Sequence, residues 1–245
     1  MYQMLLFKTL SPIQHRTLFI SVTKPTQPNP NSEVVNQLNN SAPGYDGITA
    51  PIINSTLPAI SRPLLHLCNT SLTKGIYPDK LKTAKVTQVH KSGCKTNIHN
   101  YRSVSVMLVI SKILEKIIYI RLENYLTRNS ILSDCQFGFI RNISTGMAVM
   151  SLTNHIYKTF DTNEFTIAVS LDLSKASDID NPPILLSKLS HYGVRGSANR
   201  LVHSYMSNRN QFVSSIMDPT RIALHYLWCT LRDTFRASTF TDRHQ

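Results

Sequence analysis

The chain has 245 residues, 42% of them hydrophobic and 16% charged, enough apolar content to bury one sizeable core or two small ones. Lys and Arg outnumber Asp and Glu by 26 to 14, a formal net charge of +12, so a polyanion, nucleic acid first, is the expected partner class. Cys68, Cys94, Cys135 and Cys229 form no C-x-x-C pair, and nine scattered histidines show no metal-ligand spacing, which excludes a readable zinc site or disulfide framework. No apolar run reaches the roughly 20 residues of a membrane span, so the chain is expected to be intracellular, cytoplasmic or nuclear, with no membrane partner.

In chain order, residues 1–40 read as a poorly ordered N-terminal arm and linker, with Pro25, Pro28 and Pro30 set among Asn, Gln and Thr. Pro43-Gly44 and Asp46-Gly47 mark turns, and Thr49 is placed to N-cap a helix carrying Pro51 in its first turn. Leu64, Leu65, Leu67, Cys68 and Leu72 predict a helix over 57–73, divided at Pro63 and stopped by Gly75. Residues 81–91, LKTAKVTQVHK, have the β-branched content of an exposed strand ending at the turn Ser92-Gly93. Lys82, Lys85, His90, Lys91 and Lys95 make that strand a basic ribbon; lysines there equally protect a sheet edge from aggregation. Residues 100–105 read as a loop.

Residues 109–126 are the most strongly helical stretch, with Ile110, Ile113, Leu114, Ile117, Ile118 and Ile120 on one broad side and Lys112, Glu115, Lys116, Arg121 and Glu123 mostly elsewhere. Packing, without chemistry, is the role assigned to it. A second helix over 145–160 leads to 165–173, where apolar and small or polar residues alternate strictly. Phe165, Ile167, Val169, Leu171 and Leu173 share one face and Thr166, Ala168, Ser170 and Asp172 the other, which predicts a strand with one wet face. The Asp172 carboxylate then stands on the open face near the strand's C-terminal end, a position where ligands bind in mixed folds. Beyond it, one helix is expected from Pro182 or Pro183 to Gly193 and another, capped by Ser197, through Leu201, Val202, Tyr205 and Met206.

Several separated blocks carry a resemblance: SAPGYDGI at 41–48, GIYP at 75–78, the K-x-G turn at Lys91, NYRSVS at 100–105, SKILEKII at 111–118, DCQFGFIRNIST at 134–145, LDLSKASD at 171–178, YGVRG at 192–196 and SYMSNRNQFV at 204–213. Occurring in this order, they make 41–213 resemble the reverse transcriptases of non-LTR (LINE-type) retrotransposons. The resemblance implies an α+β fold: polymerase fingers plus a partial palm, a small antiparallel sheet packed on helices, incomplete at the C-terminus. Residues 41–164 would be fingers-like, 165–213 a partial palm, and 214–245 an unrelated or frame-shifted tail. It further implies RNA-directed DNA polymerase chemistry, an RNA template and DNA primer as partners, and Mg²⁺ as cofactor.

By the same resemblance Asp172 takes the catalytic and metal-binding role, Lys91 lies in a fingertip loop over the nucleotide's phosphates, and Arg102 offers a guanidinium fork to them. Ser177 occupies the sugar-gate position, where the family has a bulky aromatic residue. Lys85 and Arg141 fall on the nucleic-acid side, Arg141 beside Ile140 and Ile143, which replace two family arginines. Asn40 and Ser103 replace a family lysine and proline. The family continues with G-x-P-Q-G-S and [YF]-A-D-D blocks; 214–245 contain neither, and Asp218, Asp233 and Asp242 are isolated. Nucleotidyl transfer on two Mg²⁺ ions needs several converging carboxylates, and Asp178 and Asp180, past the strand end, are not expected to substitute. The expectation is a reverse-transcriptase-like fragment, inactive by itself. Two other readings stay open: a non-catalytic basic RNA-binding module using Lys85, Lys91, Arg102 and Arg141, and a decayed open reading frame whose incomplete palm does not fold stably.

Overall fold

A computed structural model describes residues 34, 35, 38, 42–97, 100–138, 140, 142–169 and 182–213. Helix α1 (Ala50–Lys74) follows from an apolar stripe at helical spacing: Ile53, Leu57, Ile60, Leu64, Cys68 and Leu72 all reach the core. Its N-cap is Thr49, as expected, with proline in the first turn. Pro63 does not divide it, and Pro58 lies inside it too. Both prolines are on the exposed face, so the carbonyls they deprive of an N–H can be hydrated while the buried stripe continues. Gly75 closes the helix at φ +69°, donating its N–H to the Ser71 carbonyl at 3.0 Å.

A short 3₁₀ turn, Asp79–Leu81, leads into β1 (Thr83–His90), which pairs antiparallel with β2 (Tyr101–Val106). Two expectations change here. The strand begins after Lys82 rather than at Leu81, and the 100–105 block is largely strand rather than loop. Ser103 in place of the proline suits this: its hydroxyl exchanges hydrogen bonds with the opposite Gln88 at 2.9 and 3.1 Å, a cross-strand link proline could not make.

Helix α2 (Val109–Arg128) confirms the strongest helical reading and is buried over a broad side because it crosses both core clusters. Its N-terminal half, through Val109, Ile113, Leu114, Ile117 and Ile118, packs with α1. Its C-terminal half, through Leu122, Tyr125 and Leu126, packs with Ile131, Leu189 and Val194. Helix α3 (Thr145–Asp161) is capped by the Ser144 hydroxyl, which accepts from the Met147 N–H at 3.3 Å, and none of its residues is buried.

Helices α4 (Pro182–His191) and α5 (Gly196–Met206) match the expected pair, with Arg195 rather than Ser197 at the N-cap of α5. Strand β3 (Asn210–Val213) then runs parallel to β1, completing a sheet of order β2-β1-β3. The sheet is therefore mixed, not purely antiparallel, because β3 returns to β1 only after a long helical crossover. The predicted central strand over 165–173 is not part of it as far as residue 169: Phe165, Ile167 and Val169 are 98%, 88% and 77% exposed. Alternation records fitness for a half-buried sheet face, but a strand also needs a ladder partner, and the described residues provide none for this segment. Residues 170–173 of that strand, like 1–33 of the arm expected over 1–40 and the tail at 214–245, lie outside the described residues, whereas Val34 and Val35 of that arm are helical and buried in the core, against the expectation of poor order.

Candidate nucleic-acid interface

The β1–β2 hairpin collects the basic residues the sequence singled out. Registers Lys85↔Val106, Thr87↔Val104 and Val89↔Arg102 place Lys85 and Arg102 on one face of the ribbon. His90 and Tyr101 lie opposite one another on the other face, their rings 5.2 Å apart. Arg102 and Lys91 are exposed and Lys85 is half-buried. None of these three cations forms an ion pair with a described residue, so their charge is available to an anion.

The tip is built by its own hydrogen bonds. The Lys91 N–H donates to the Asn100 carbonyl at 2.7 Å, Asn100 Nδ2 to the Cys94 carbonyl at 2.9 Å, and the Tyr101 hydroxyl to the Lys95 carbonyl at 2.9 Å. Cys94, fully exposed, has its Sγ 2.9 Å from Thr96 Oγ1; that side-chain hydrogen bond, then the Thr96 backbone, holds its thiol below the ordinary value. Buried Cys68 goes the other way, pushed up to about 11 by desolvation despite the nearby Arg121.

Lys82 leaves the predicted basic ribbon. Its side chain is 4% exposed and its Nζ sits 2.7 Å from Asp79 Oδ1, so it anchors the turn before β1 instead of facing a ligand. The 43–47 turn block packs at the hairpin root. The Tyr45 ring meets Phe212 of β3 edge-on at 6.0 Å, Asp46 Oδ1 accepts from the Ile48 N–H at 3.1 Å, and Lys112 Nζ donates to the Ala42 carbonyl at 3.2 Å.

Sequence reasoning missed a buried polar cluster beneath the hairpin: Glu115 and Arg209, 5% and 6% exposed, with Arg209 Nη2 3.7 Å from Glu115 Oε1. Glu115 was placed away from the apolar side of its helix, and the i, i+4 spacing from Ser111 was the available signal, since Ser111 Oγ reaches Glu115 Oε1 at 3.2 Å. Asp172, Ser177, Asp178, Asp180 and Arg141 lie outside the described residues. Among the described residues no group of three His, Cys, Asp or Glu side chains could hold a metal ion, and no helix is long and apolar enough to cross a membrane.

No established family profile matches the chain. Over 183 residues it is 33% identical to the probable RNA-directed DNA polymerase from transposon BS of Drosophila melanogaster, covering 70% of this chain and 19% of that protein. It is 29% identical over 150 residues to the probable RNA-directed DNA polymerase from transposon X-element of the same fly, covering 59% and 16%. With the RNA-directed DNA polymerase from mobile element jockey it shares 27% identity over 148 residues, covering 60% and 16%. The chain spans less than a fifth of the length of these three relatives. The sequence is thus reverse-transcriptase-like. Within that class, it is a relative of the reverse transcriptases of non-LTR retrotransposons, as the ordered blocks implied.

Proposed function

We propose that this chain is a nucleic-acid-binding, reverse-transcriptase-like fragment that engages template RNA through the β1–β2 hairpin and does not polymerise by itself. The observation that carries the reading is the shared ribbon face of Lys85 and Arg102, with Lys91 opening the tip beyond them. Cations on one rigid ribbon neutralise successive phosphates at little ordering cost, and the counterions released supply affinity without base readout. In this reading 41–164 act as fingers and 165–213 as part of a palm. Arg141 adds a phosphate contact, Lys91 and Arg102 stand where a polymerising enzyme of this class would meet the nucleotide's phosphates, and Ser177 leaves the sugar gate open.

Divalent-metal chemistry is general among polymerases of the relatives' class, and Asp172 would be the first metal carboxylate. The described residues do not supply its companions, and the 245-residue sequence has no adjacent aspartates, so no step is assigned to a metal here. Purified chain incubated with primed RNA template, deoxynucleotides and Mg²⁺ is expected to retard the RNA, equally so in Asp172→Asn, without extending the primer. Incorporation that disappears in Asp172→Asn overturns the inactivity, and no RNA retardation at low salt overturns the binding.

A further inference from the structure

The two strands of the basic hairpin leave the core at adjacent points, β1 just after Leu81 and Lys82, β2 just before Met107. One buried cluster grips both exits. Ser111 Oγ lies 3.0 Å from the Leu81 carbonyl and 3.2 Å from Glu115 Oε1, and 2.7 Å from the Tyr77 hydroxyl. A serine has one proton to give, so it donates to one of these partners at a time, and the Tyr77 hydroxyl also lies 3.5 Å from Glu115 Oε1 and 3.4 Å from the Ser111 carbonyl. On the other side Arg209 donates from Nη2 to Met107 Sδ at 3.4 Å and from Nη1 to the Tyr205 carbonyl at 3.1 Å. Its guanidinium also stacks 4.4 Å from the Tyr205 ring centroid. The 3.7 Å approach of Arg209 to Glu115 joins the two halves. Asn210, next in the chain, donates its N–H to the Lys82 carbonyl at 3.3 Å where β3 meets β1.

We propose that Arg209 and Glu115 are positioning residues for the basic hairpin: the pair clamps the roots of β1 and β2 and thereby sets the geometry in which Lys85, Lys91 and Arg102 meet an anion. Its RNA-binding consequence rests on the function proposed above, but the clamp itself does not. Only a guanidinium presents nitrogens to Met107, Tyr205 and Glu115 together. A lysine at 209 keeps the charge beside Glu115 and gives up the fork.

The test compares Arg209→Lys and Glu115→Gln with Leu189→Ala, a core variant in the second cluster remote from the clamp, by hydrogen exchange and by fluorescence anisotropy with a single-stranded RNA oligonucleotide. Arg209→Lys and Glu115→Gln are expected to speed exchange of the 83–90 and 101–106 amides at least tenfold relative to those of 182–191, and to weaken RNA binding about tenfold. Leu189→Ala is expected to do the reverse, loosening 182–191 while sparing the hairpin. Uniform loosening in all three variants, or an unchanged hairpin in both clamp variants, overturns the proposal. If wild type binds no RNA, the function proposed above fails and the exchange comparison alone decides the clamp. If one clamp variant does not fold, the other supplies the same exchange comparison, and Glu115→Asp, which keeps the carboxylate, supplies it if neither does.

Discussion

Replacing Gly75 by alanine should destabilise the protein far more than replacing Gly47, although the two backbones are nearly alike. Gly75 has φ +69° and Gly47 φ +71°, so an alanine at either site carries the left-handed cost of about 1–2 kcal/mol. The surroundings differ. A Cβ at Gly47 meets nothing within 4 Å, whereas at Gly75 it would lie 2.5 Å from the Ser197 carbonyl oxygen and 3.1 Å from both Ser197 Cα and Arg200 Cβ. Those atoms belong to the N-terminal half of α5, so relief requires shifting a helix rather than rotating a side chain. Overpacking of this kind costs about 1–3 kcal/mol more.

The sum is about 2–5 kcal/mol for Gly75→Ala against about 1–2 for Gly47→Ala. For a folded body of this size each kcal/mol lowers Tm by roughly 2–4 °C. Thermal unfolding followed by circular dichroism should therefore show losses of roughly 4–20 °C and 2–8 °C respectively. Equal losses in the two variants would mean that α5 does not sit against the end of α1. A larger loss at Gly47 would refute the packing outright.

Other predictions follow from the same geometry. Alkylation by iodoacetamide, read by peptide mapping, should modify Cys94 fastest. Its depressed pKa raises the thiolate fraction at any pH below the ordinary thiol value, while Cys68, raised to about 11 and buried, reacts only on unfolding. Comparable rates at pH 8 contradict both environments. Lys82→Ala should cost about 1–3 kcal/mol of stability, through lost packing of the buried stem, and leave the salt dependence of RNA binding unchanged. Lys85→Ala should do the opposite, and an unaltered salt slope in it removes that residue from the interface. Ser144→Ala removes the α3 cap and should lower helicity or stability by about 1 kcal/mol; no change by circular dichroism or chemical denaturation sinks the cap assignment.

Much of the fold was legible because periodicity reports burial directly. The 109–126 stretch became α2 to within two residues of its end, and Thr49, Gly75 and Pro182 marked helix ends through backbone constraints that depend little on tertiary context. What failed depended on neighbours. Pro63 reads as a breaker until its exposed position is known, and Phe165, Ile167 and Val169 alternate like a sheet face that has no ladder partner among the described residues. Glu115 illustrates the same limit from the polar side. A carboxylate on a helix is by default a solvated charge, and only the return of the chain to Arg209, far along the sequence, makes its burial tolerable. Of the candidate site, Lys85, Lys91 and Arg102 share one hairpin, which the loop reading of 100–105 does not foresee because strand pairing there depends on β1, while Lys82 is held by Asp79.

A phosphate-binding hairpin makes RNA affinity depend on salt through its own cations, which a salt titration reads. With single-stranded RNA, log K falls against log salt by about 0.7 per neutralised phosphate, so Lys85→Ala/Lys91→Ala/Arg102→Ala should flatten the wild-type slope by about 2. Binding should weaken at every salt concentration while thermal stability is retained. A triple variant with wild-type slope and affinity would place the RNA surface elsewhere than on the hairpin.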